Sequence, residues 1–435
     1  MAERGARATA VVVIGAGYVG LTTAACLASL GHRVVCADVD AAKVDRLRAG
    51  RVDILEPGLP ELVAAGLADG SLRFELGAGA AVRGCAPGAR AVFLCVPTPS
   101  DADGRADLTA VESAVDEVAG ALVAGDVLVL KSTVPVGTTH AVRDRLRTAG
   151  VAVASNPEFL REGSAVTDFL HPDRLVIGCD DPAGTTTLAG VYAGVAAPVV
   201  VTDPVSAELV KYAANCFLAL KLSYVNSIAE LCERVGGDIG SVAEGMGHDP
   251  RIGPGHLRPG PGWGGSCLPK DTRALLHLAD RRGVDLTLVR AAADLNSATQ
   301  DRIADKVRTA AGEAGGDRVA VLGLAFKAGT NDLRESPALA VAARLSAHGL
   351  TVVAHDPAIA PGTAPLPGIT LVDDVDLAVK GAAAVALLTD WPQYRALDWN
   401  RVAGLMAGTV VVDTRNQLDP EQLRRCGLDR RGIGV

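Results

Sequence analysis

Short apolar runs alternate with helical stretches through the first half of the chain. A strand that is buried on both faces of a sheet is a continuous apolar run, and parallel neighbours need a helix between them. We therefore predict βαβ units around a buried parallel sheet, with Leu175–Gly178 as an edge or final strand. The strands predicted before it are Ala10–Ile14, Val34–Ala37, Ala91–Val96, Val127–Lys131 and Val151–Ala154.

The pattern changes around Asp203, where the spacing predicts one long helix. Asp203 suits a helix N-cap and Pro204 suits the first turn, and neither Gly nor Pro occurs again before Gly236. Two further helical blocks are predicted at Asp271–Ala279 and Leu286–Ala311. A helical block between two α/β segments can connect domains or form a dimer interface, so we expect a homodimer.

The alternation of strands and helices returns near Arg318. The strands predicted there are Val319–Leu322, Thr351–Ala354, Ala384–Leu388 and Thr409–Val412. The expected fold class is α/β, with two Rossmann-like doubly wound parallel-sheet domains joined by a long central helix and a helical middle domain. We place the domains at residues 1–202, 203–312 and 313–435, and the two α/β ends can be a repeat of one fold.

Composition narrows the class of protein. Of the 435 residues, 49% are hydrophobic and 21% are charged, which is typical of a globular protein. The formal net charge is −8 and the chain has no basic tract, so we expect no nucleic-acid partner. No stretch approaches about 18 uninterrupted apolar residues, and the N-terminus has no signal-peptide pattern, so we expect no membrane contact.

The cysteines indicate a reducing compartment. There are nine, an odd number without a CxxC pair, and several lie in apolar strand-like runs. This usage indicates buried thiols rather than disulfides, with one reactive thiol among them. We therefore expect a cytoplasmic protein and assign no metal site.

A glycine-rich loop follows the first predicted strand, with the pattern G-x-G-x-x-G over Gly15-Ala16-Gly17-Tyr18-Val19-Gly20. In that pattern the three glycines permit a tight turn, the approach of a pyrophosphate and close helix packing, and the helix N-terminus attracts the anion. Asp38 ends the next strand, where a carboxylate accepts from ribose hydroxyls and repels a 2′-phosphate. The pattern predicts an NAD site; a Gly-rich turn in another α/β protein is the alternative. Lys43 either reaches the ribose or phosphate or is a surface lysine.

Polar residues follow three further predicted strands. Thr98 and Thr133 lie at carboxyl ends of strands, where open α/β sheets bind ligands, so they contact cofactor or a catalytic water, or are ordinary turn residues. Glu158 and Glu162 are four residues apart and share a face if their segment is helical. They are either a general base and a cofactor contact or an ordinary surface pair.

Cys267 lies in the Gly- and Pro-rich stretch 258–271, just before a predicted helix. A helix N-terminus and the adjacent Lys270 favour the thiolate, which is the nucleophilic form. Beside an NAD domain, such a thiol can trap an aldehyde as a thiohemiacetal, which is then oxidised to a thioester and hydrolysed to an acid. Lys211 and Asn215 share a face of the predicted long helix, although a lysine there can also be a surface charge.

Together these residues resemble the UDP-glucose/GDP-mannose (nucleotide-sugar) dehydrogenase family. The matching motifs run in family order over roughly residues 9–418, and the set is highly specific. They are GAGYVG at 15–20, VPTP at 96–99, KSTVPVGT at 131–138, NPEFLREG at 156–163, ELVKYAAN at 208–215, GWGGSCLPKD at 262–271, LAFK at 324–327, NDLRES at 331–336 and DTRN at 413–416. Trp263 stands where relatives usually carry Phe or Tyr, and His256 where many carry an aromatic ring; both bear on base and sugar preference.

The resemblance implies NAD-dependent four-electron oxidation of the C6 alcohol of UDP-glucose to UDP-glucuronate, through a thiohemiacetal and a thioester. It implies these catalytic roles: Cys267 as nucleophile, Lys211 as oxyanion stabiliser, Asp271 with a water as base in the first oxidation, Asn215 in sugar orientation or the oxyanion hole, and Glu158 and Thr133 in positioning the hydrolytic water.

The resemblance also implies the binding residues. NAD contacts are Gly15, Gly17, Tyr18, Val19, Gly20, Asp38, Lys43, Thr98, Thr133, Glu162, Lys270 and Arg334. Nucleotide-sugar contacts are Glu158, Phe159, Leu160, Arg161, Glu162, Lys211, Asn215, Arg251, His256, Leu257, Arg258, Pro259, Gly260, Gly264 and Lys327. Among these, Lys327 is expected near the diphosphate and Arg251 is expected to reach across a dimer interface.

Three alternatives stay open at this point. The same chemistry can act on TDP-glucose, GDP-mannose or a UDP-N-acetylhexosamine. A two-electron dehydrogenase similar to the 6-phosphogluconate enzymes shares the layout of an NAD domain and a helical domain, but Cys267 and the second α/β domain argue against it. A catalytically inactive nucleotide-sugar sensor is the third alternative, and the presence of every expected catalytic residue argues against it.

Overall fold

The computed structural model describes residues 9–86, 88–101, 103–146, 150–363 and 366–435. The chain divides into two compact units, residues 1–214 and residues 215–435, and the boundary falls within one long helix. None of the helices in the described ranges combines the length and the apolar character that a membrane span requires.

The first unit is built on one sheet. Its strands are β1 (Ala10–Ile14), β2 (Arg33–Asp38), β3 (Leu72–Leu76), β4 (Ala91–Leu94), β5 (Val127–Leu130), β6 (Ala152–Ser155), β7 (Leu175–Cys179) and β8 (Val199–Thr202). They form an eight-stranded sheet in the order β3-β2-β1-β4-β5-β6-β7-β8. The strand order reverses between β1 and β4, which is the switch point where such sheets bind ligands.

Two features of this sheet differ from the sequence prediction. The run at Leu175–Gly178 forms β7, which pairs antiparallel with β6 and is followed by β8 on its other side, so it is neither an edge nor the final strand. β3 and β8 were not predicted: β3 alternates buried and exposed positions, and the apolar run Val199–Val201 of β8 is exposed. Edge strands need only one buried face or none, so β3 does not have the continuous apolar run that is typical of a strand buried on both faces.

Helices cover both faces of the first sheet. They are α1 (Tyr18–Ser29), α2 (Ala41–Arg48), α3 (Leu59–Asp69), α4 (Ala78–Arg83), α5 (Thr109–Ala119), α6 (Thr138–Leu146), α7 (Ala165–Leu170) and α8 (Pro182–Val191). Val11 and Val13 of β1 pack into one hydrophobic cluster, and Val12 and Ile14 pack into another. Successive side chains of a strand point to opposite faces, so both faces of the sheet are buried, as the continuous apolar runs predict.

The predicted long helix is α9 (Pro204–Val235). The N–H of Ser206 donates to Oδ1 of Asp203 at 2.9 Å, so Asp203 is the N-cap that the sequence predicts. Because α9 is continuous, Lys211 and Asn215 lie one turn apart on it, as predicted.

The second unit contains helices and a second sheet. Its helices are α10 (Ile239–Gly247), α11 (Leu268–Arg281), α12 (Thr287–Glu313), α13 (Pro337–Ala347), α14 (Val375–Val379), α15 (Pro392–Arg395), α16 (Trp399–Leu405) and α17 (Pro420–Arg425). Its strands are β9 (Arg318–Leu322), β10 (Thr351–His355), β11 (Ile369–Val372), β12 (Ala384–Leu387), β13 (Val410–Asp413) and β14 (Asp429–Arg431). Helices α11 and α12 confirm the two predicted helical blocks, while α10, β11 and β14 were not predicted.

The two sheets repeat one topology. The second sheet has the order β11-β10-β9-β12-β13-β14, which matches the first six strands of the first sheet position by position. Gly15 after β1 and Gly323 after β9 have φ values of +96° and +94°. Each glycine donates its N–H to the neighbouring strand, Gly15 to Ala37 O at 2.7 Å and Gly323 to His355 O at 2.8 Å. The predicted fold class and the suggested repeat of fold are therefore confirmed.

Candidate active site

The loop after β1 requires glycine at two positions. A Cβ on Gly15 would lie 2.6 Å from the carbonyl oxygen of Cys95, and the positive φ already disfavours other residues. A Cβ on Gly20 would lie 1.8 Å from the carbonyl oxygen of Gly15. The tight turn and the close helix packing predicted from the motif are both present.

Gly17, unlike Gly15 and Gly20, is not closely packed, which fits a site for a bound cofactor. A Cβ at Gly17 would meet no described atom within 4 Å, so nothing in the described protein explains a glycine there. Gly17 is the N-cap of α1 and has no side chain with which to cap this helix end. The first N–H groups of α1 thus point to an open position where a pyrophosphate can approach the backbone closely.

Asp38 stands at the end of β2 as the sequence predicts. Its carboxylate accepts from the N–H of Ala16 at 2.9 Å, the N–H of Asp40 at 3.0 Å and Nζ of Lys43 at 3.0 Å. Burial acts to raise the pKa of Asp38, but these hydrogen bonds and the Lys43 charge outweigh it, and the pKa lies below its usual range. Asp38 is therefore ionised, and Lys43 lies against it; a direct contact between Lys43 and cofactor stays a prediction.

The sequence did not point to Glu56, which is buried beside the same loop. Glu56 accepts a hydrogen bond from the hydroxyl of Tyr18 and another, of 2.7 Å, from the N–H of Gly163. This ties the glycine-rich loop to the residue that follows Glu162. Glu56-Pro57-Gly58 looks like an ordinary turn before α3, so no motif distinguishes this carboxylate in the sequence.

Glu158 and Lys211 form a buried ion pair within the first unit. Nζ of Lys211 donates to Oε1 of Glu158 at 2.9 Å and to the carbonyl oxygen of Glu158 at 2.7 Å. Only 4% of the Lys211 side chain and 6% of the Glu158 side chain are exposed. Burial acts to raise the pKa of Glu158, but Lys211, the N–H of Leu160 and more distant Lys131 lower it below its usual range.

The segment that carries Glu158 and Glu162 is not helical, so the two carboxylates do not share a helix face. Residues 156–161 have no regular structure, and α7 begins only at Ala165. Oε2 of Glu158 accepts from the N–H of Leu160 at 2.5 Å, a local turn that competes with helix formation. Gly163 has φ of +81°, which also ends any helical path.

Thr98 and Thr133 lie together beyond the ends of β4 and β5. The hydroxyl of Thr98 donates to the carbonyl oxygen of Thr133 at 2.8 Å. The segment after Thr133 is fixed to α9, because Glu208 accepts from the N–H of Gly137 at 2.5 Å and from the N–H of Thr139 at 2.7 Å. Glu208 belongs to one of the family motifs, but the motif does not reveal this connection, because its partners lie 71 and 69 positions away along the chain.

Cys267 is the N-cap of α11, in the second unit, as its position before a predicted helix suggests. The glycines before it are needed for packing. A Cβ on Gly264 would lie 2.0 Å from the carbonyl oxygen of Glu335, and one on Gly265 would lie 2.7 Å from the ring of Phe326. The loop therefore presents a half-buried thiol at the positive end of a 14-residue helix.

A buried carboxylate follows Cys267 in the first turn of α11. Asp271 is 0% exposed and accepts from Nδ2 of Asn215 at 2.6 Å and from Nζ of Lys270 at 2.6 Å. The N–H of Asp271 donates to the carbonyl oxygen of Cys267 at 2.9 Å. The structure thus brings the side chains of Asn215, Lys270 and Asp271 together at the first turn of α11, the helix that Cys267 caps.

Several other thiols are poor nucleophiles. All nine cysteines are present as thiols. Burial raises the pKa of Cys26 and Cys95 to about 12 and that of Cys216 to about 11. Because the thiolate is the nucleophilic form, these cysteines are inert at neutral pH, as expected for apolar surroundings.

The family models match the chain in three consecutive parts. The NAD binding domain of the UDP-glucose/GDP-mannose dehydrogenase family matches residues 9–196, the central domain residues 205–298 and the UDP binding domain residues 320–420. The chain belongs to this family. It is therefore an NAD-dependent dehydrogenase, and the open glycine loop and Asp38 are the features that fit NAD.

Individual members of the family match nearly the whole chain. The UDP-glucose 6-dehydrogenase YwqF of Bacillus subtilis is 40% identical over 98% of this chain and 97% of its own length. A UDP-glucose 6-dehydrogenase of Rhizobium meliloti is 42% identical over 98% of this chain and 99% of its own length. The structure of a UDP-glucose dehydrogenase from Pyrobaculum islandicum is similar with a TM-score of 0.88 and 40% identity, covering 99% of both chains.

Trp263 and His256, the two residues expected to depart from the family pattern, have different surroundings. Trp263 is 6% exposed, and its indole donates to Oγ of Ser223 at 2.9 Å while its N–H donates to Oδ1 of Asn296 at 2.8 Å. It therefore anchors the cysteine loop to α9 and α12. His256 is exposed in a left-handed conformation with φ of +60°, so it remains a candidate for contact with the nucleotide.

For the remaining predicted binding residues, contact with NAD or with the nucleotide sugar stays a prediction. Arg161 pairs with Asp168 at 2.5 Å, Arg251 with Asp249 at 2.6 Å and Arg334 with Asp332 at 2.6 Å. Lys327 lies over the ring of Phe326, 5.5 Å from its centre. Leu257 is buried, and Arg258, Pro259 and Gly260 follow it in an irregular loop. A Cβ on Gly260 would lie 2.8 Å from the guanidinium of Arg415, which sequence analysis did not single out.

Proposed function

We propose that this protein oxidises the C6 alcohol of UDP-glucose to a carboxylate in two NAD-dependent steps and releases UDP-glucuronate. The observation that carries the proposal is Cys267 at the N-terminus of α11, followed by the buried Asp271 with its Asn215 and Lys270 donors. Relatives that are 40% and 42% identical over 98% of the chain are named UDP-glucose 6-dehydrogenases. GDP-mannose, TDP-glucose and UDP-N-acetylhexosamines are the alternative substrates.

In the first oxidation the alcohol loses a proton and a hydride and becomes an aldehyde. The glycine loop and Asp38 would hold NAD, which would supply the hydride acceptor for each of the two oxidations. Asp271 acts with a water as the base that takes the hydroxyl proton. The Asn215 amide and the Lys270 ammonium orient the Asp271 carboxylate for this task, since both donate to it at 2.6 Å.

The thiolate of Cys267 then adds to the aldehyde carbon, and the carbonyl oxygen takes a proton to give a thiohemiacetal. Loss of a second hydride and of the hydroxyl proton gives a thioester. Water adds to the thioester, the thiolate leaves, and the carboxylate is released. We assign Lys211 to the oxyanions that form in these additions, because a fixed buried ammonium stabilises developing negative charge.

Glu158 and Thr133 position the hydrolytic water in this proposal. Glu158 is suited to the role because it is held ionised in a buried position and its carboxylate is fixed by the N–H of Leu160. We further propose a cytoplasmic homodimer whose domains are residues 1–202, 203–312 and 313–435. The first of these holds NAD, and the third holds the nucleotide sugar.

The stoichiometry of NADH tests the reaction. With UDP-glucose as the limiting reagent we expect two NADH per sugar and UDP-glucuronate as the product; one NADH per sugar contradicts the mechanism. The Cys267→Ser variant is expected to stop after aldehyde or adduct formation, because a hydroxyl is a weak nucleophile at neutral pH. Carboxylate formation at a near-normal rate by that variant contradicts the covalent role. A panel of UDP-, TDP- and GDP-sugars identifies the substrate.

A further inference from the structure

Two cations contact the ring of Phe159, the residue that follows Glu158. The guanidinium carbon of Arg174 lies 3.7 Å from the ring centre, and Nζ of Lys211 lies 5.5 Å from it. The face of an aromatic ring attracts cations, and the attraction is stronger where water is excluded. The ring therefore links Arg174 to the Glu158–Lys211 pair.

The guanidinium of Arg174 makes few contacts other than the one with the Phe159 ring. It is half-buried, and among the described residues no hydrogen bond or ion pair to its guanidinium is found. Burial lowers the pKa of Arg174, partly offset by the charge of nearby Asp173. A partly desolvated cation without a paired carboxylate is unfavourable unless something compensates it, and the Phe159 ring is the group in contact with it.

Arg174 is also fixed by the sheet. It immediately precedes β7, which pairs with β6, and Glu158 lies three residues beyond the end of β6. Nδ2 of Asn156 donates to the carbonyl oxygen of Val176 at 2.8 Å and joins the two segments. The backbone of Arg174 is thus held by the sheet, beside the irregular segment that carries Glu158.

Phe159 is the central residue of the turn that orients Glu158. The turn closes when the N–H of Leu160 donates to Oε2 of Glu158 at 2.5 Å, and the Glu158 carbonyl in the same turn accepts from Lys211 at 2.7 Å. On one side the ring borders a cavity of about 70 Å³ that is also lined by Arg174, Lys131 and Glu158. A ring that is not held in place can move into this space, and the turn then loses its shape.

We propose that Arg174 is a positioning residue for the dehydrogenase reaction. It holds the Phe159 ring, and through the ring it fixes the turn that sets the Glu158 carboxylate and the Lys211 ammonium. The inference rests on the proposed roles of Lys211 and Glu158. Arg174 touches neither of these two groups by hydrogen bond, so its effect passes through Phe159.

The test compares Arg174→Met, Arg174→Lys, Phe159→Leu and the Arg174→Met/Phe159→Leu double variant. Losing one cation–ring contact is expected to lower kcat about 3- to 30-fold. The KM for NAD should stay unchanged, because the glycine loop is not involved. Arg174→Lys should recover part of kcat, since it restores a cation, and the double variant should be no slower than Phe159→Leu alone.

The control is Arg145→Met, which removes an exposed arginine whose partner is Asp116, with 45% and 58% of the two side chains exposed. It should keep the wild-type kcat. Two results would overturn the proposal: a wild-type kcat for Arg174→Met, or a double variant whose loss of kcat is the product of the two single losses. Either result leaves the proposed function intact, provided that the wild-type protein yields two NADH per sugar. If the wild-type yield itself is one, the proposed function fails instead. Arg174→Lys keeps the test decisive if Arg174→Met does not fold.

Discussion

A Lys211→Met substitution is expected to destabilise the fold and slow catalysis together. Lys211 and Glu158 are joined at 2.9 Å with only 4% and 6% of their side chains exposed. Removing one partner of a buried pair leaves the other charge uncompensated, which lowers the free energy of unfolding by about 3–5 kcal/mol. The N–H of Leu160 still donates to the Glu158 carboxylate, so we expect the free energy of unfolding to fall by about 3 kcal/mol, the lower end of this range. Loss of the oxyanion partner is expected to lower kcat about 100- to 1000-fold.

The pH dependence of stability gives the same variant a second signature. In the native protein the pKa of Glu158 is lowered, so the pair adds stability above the pKa of an unfolded glutamate and loses it as the pH falls through the native pKa. In Lys211→Met, burial is no longer opposed by Lys211, and we expect the pKa to rise above its unfolded value. The sign then reverses: stability falls as the pH rises above about 4.3.

Urea unfolding followed by circular dichroism, between about pH 4 and pH 7, measures both effects. The matched control is Lys211→Met/Glu158→Gln, which removes both charges and should regain most of the stability but none of the activity. A Lys211→Met protein as stable as the wild type would show that the pair is not buried as described. Unchanged kcat in a folded variant would refute the oxyanion role.

The cofactor loop supports two further predictions. Gly20→Ala places a Cβ 1.8 Å from Gly15 O and should prevent native packing of α1. Gly17→Ala meets no described atom within 4 Å and should fold normally, with a KM for NAD raised at least about tenfold. Thermal unfolding and NAD kinetics compare the two variants, and equal behaviour of the two contradicts the argument. Asp38→Ala should weaken the preference for NAD over NADP, measured as the ratio of kcat/KM values, and an unchanged ratio refutes the ribose assignment.

Local sequence signals were sufficient to predict those helices and strands that are determined by residues close together in the sequence. The N-cap Asp203 and the absence of Gly and Pro define α9, and the Gly-rich turn before Leu268 places Cys267 at a helix N-terminus. The run of apolar residues identifies strands that are buried on both faces. The glycine pattern and Asp38 predict NAD as the cofactor, and the match to the family's NAD binding domain confirms it. The boundaries of the three domains stay a prediction.

The features that sequence analysis missed depend on distant partners. Glu158 is held by Lys211, which lies 53 positions away along the chain. Glu56 meets Tyr18 and Gly163 from 38 and 107 positions away. The direction of β7 is likewise set by its pairing with β6 and not by its apolar residues. Contacts of this kind become visible only in the folded chain.

The repeated glycine turn has a consequence for the timing of turnover. After β9, Oδ2 of Asp356 accepts from the N–H groups of Leu324 and Ala325 at 2.7 and 2.9 Å, and the indole of Trp391 donates to it at 3.2 Å. In the first turn Asp38 likewise accepts from the N–H of Ala16, the counterpart of Leu324, but among the described residues no carboxylate accepts from the N–H of Gly17, the counterpart of Ala325. We therefore expect the dinucleotide at the first turn. In the proposed reaction both oxidations therefore draw on one dinucleotide position. Spent cofactor must leave and fresh cofactor must enter while the half-oxidised sugar is retained, so the lifetime of the Cys267 adduct has to exceed the time for cofactor exchange.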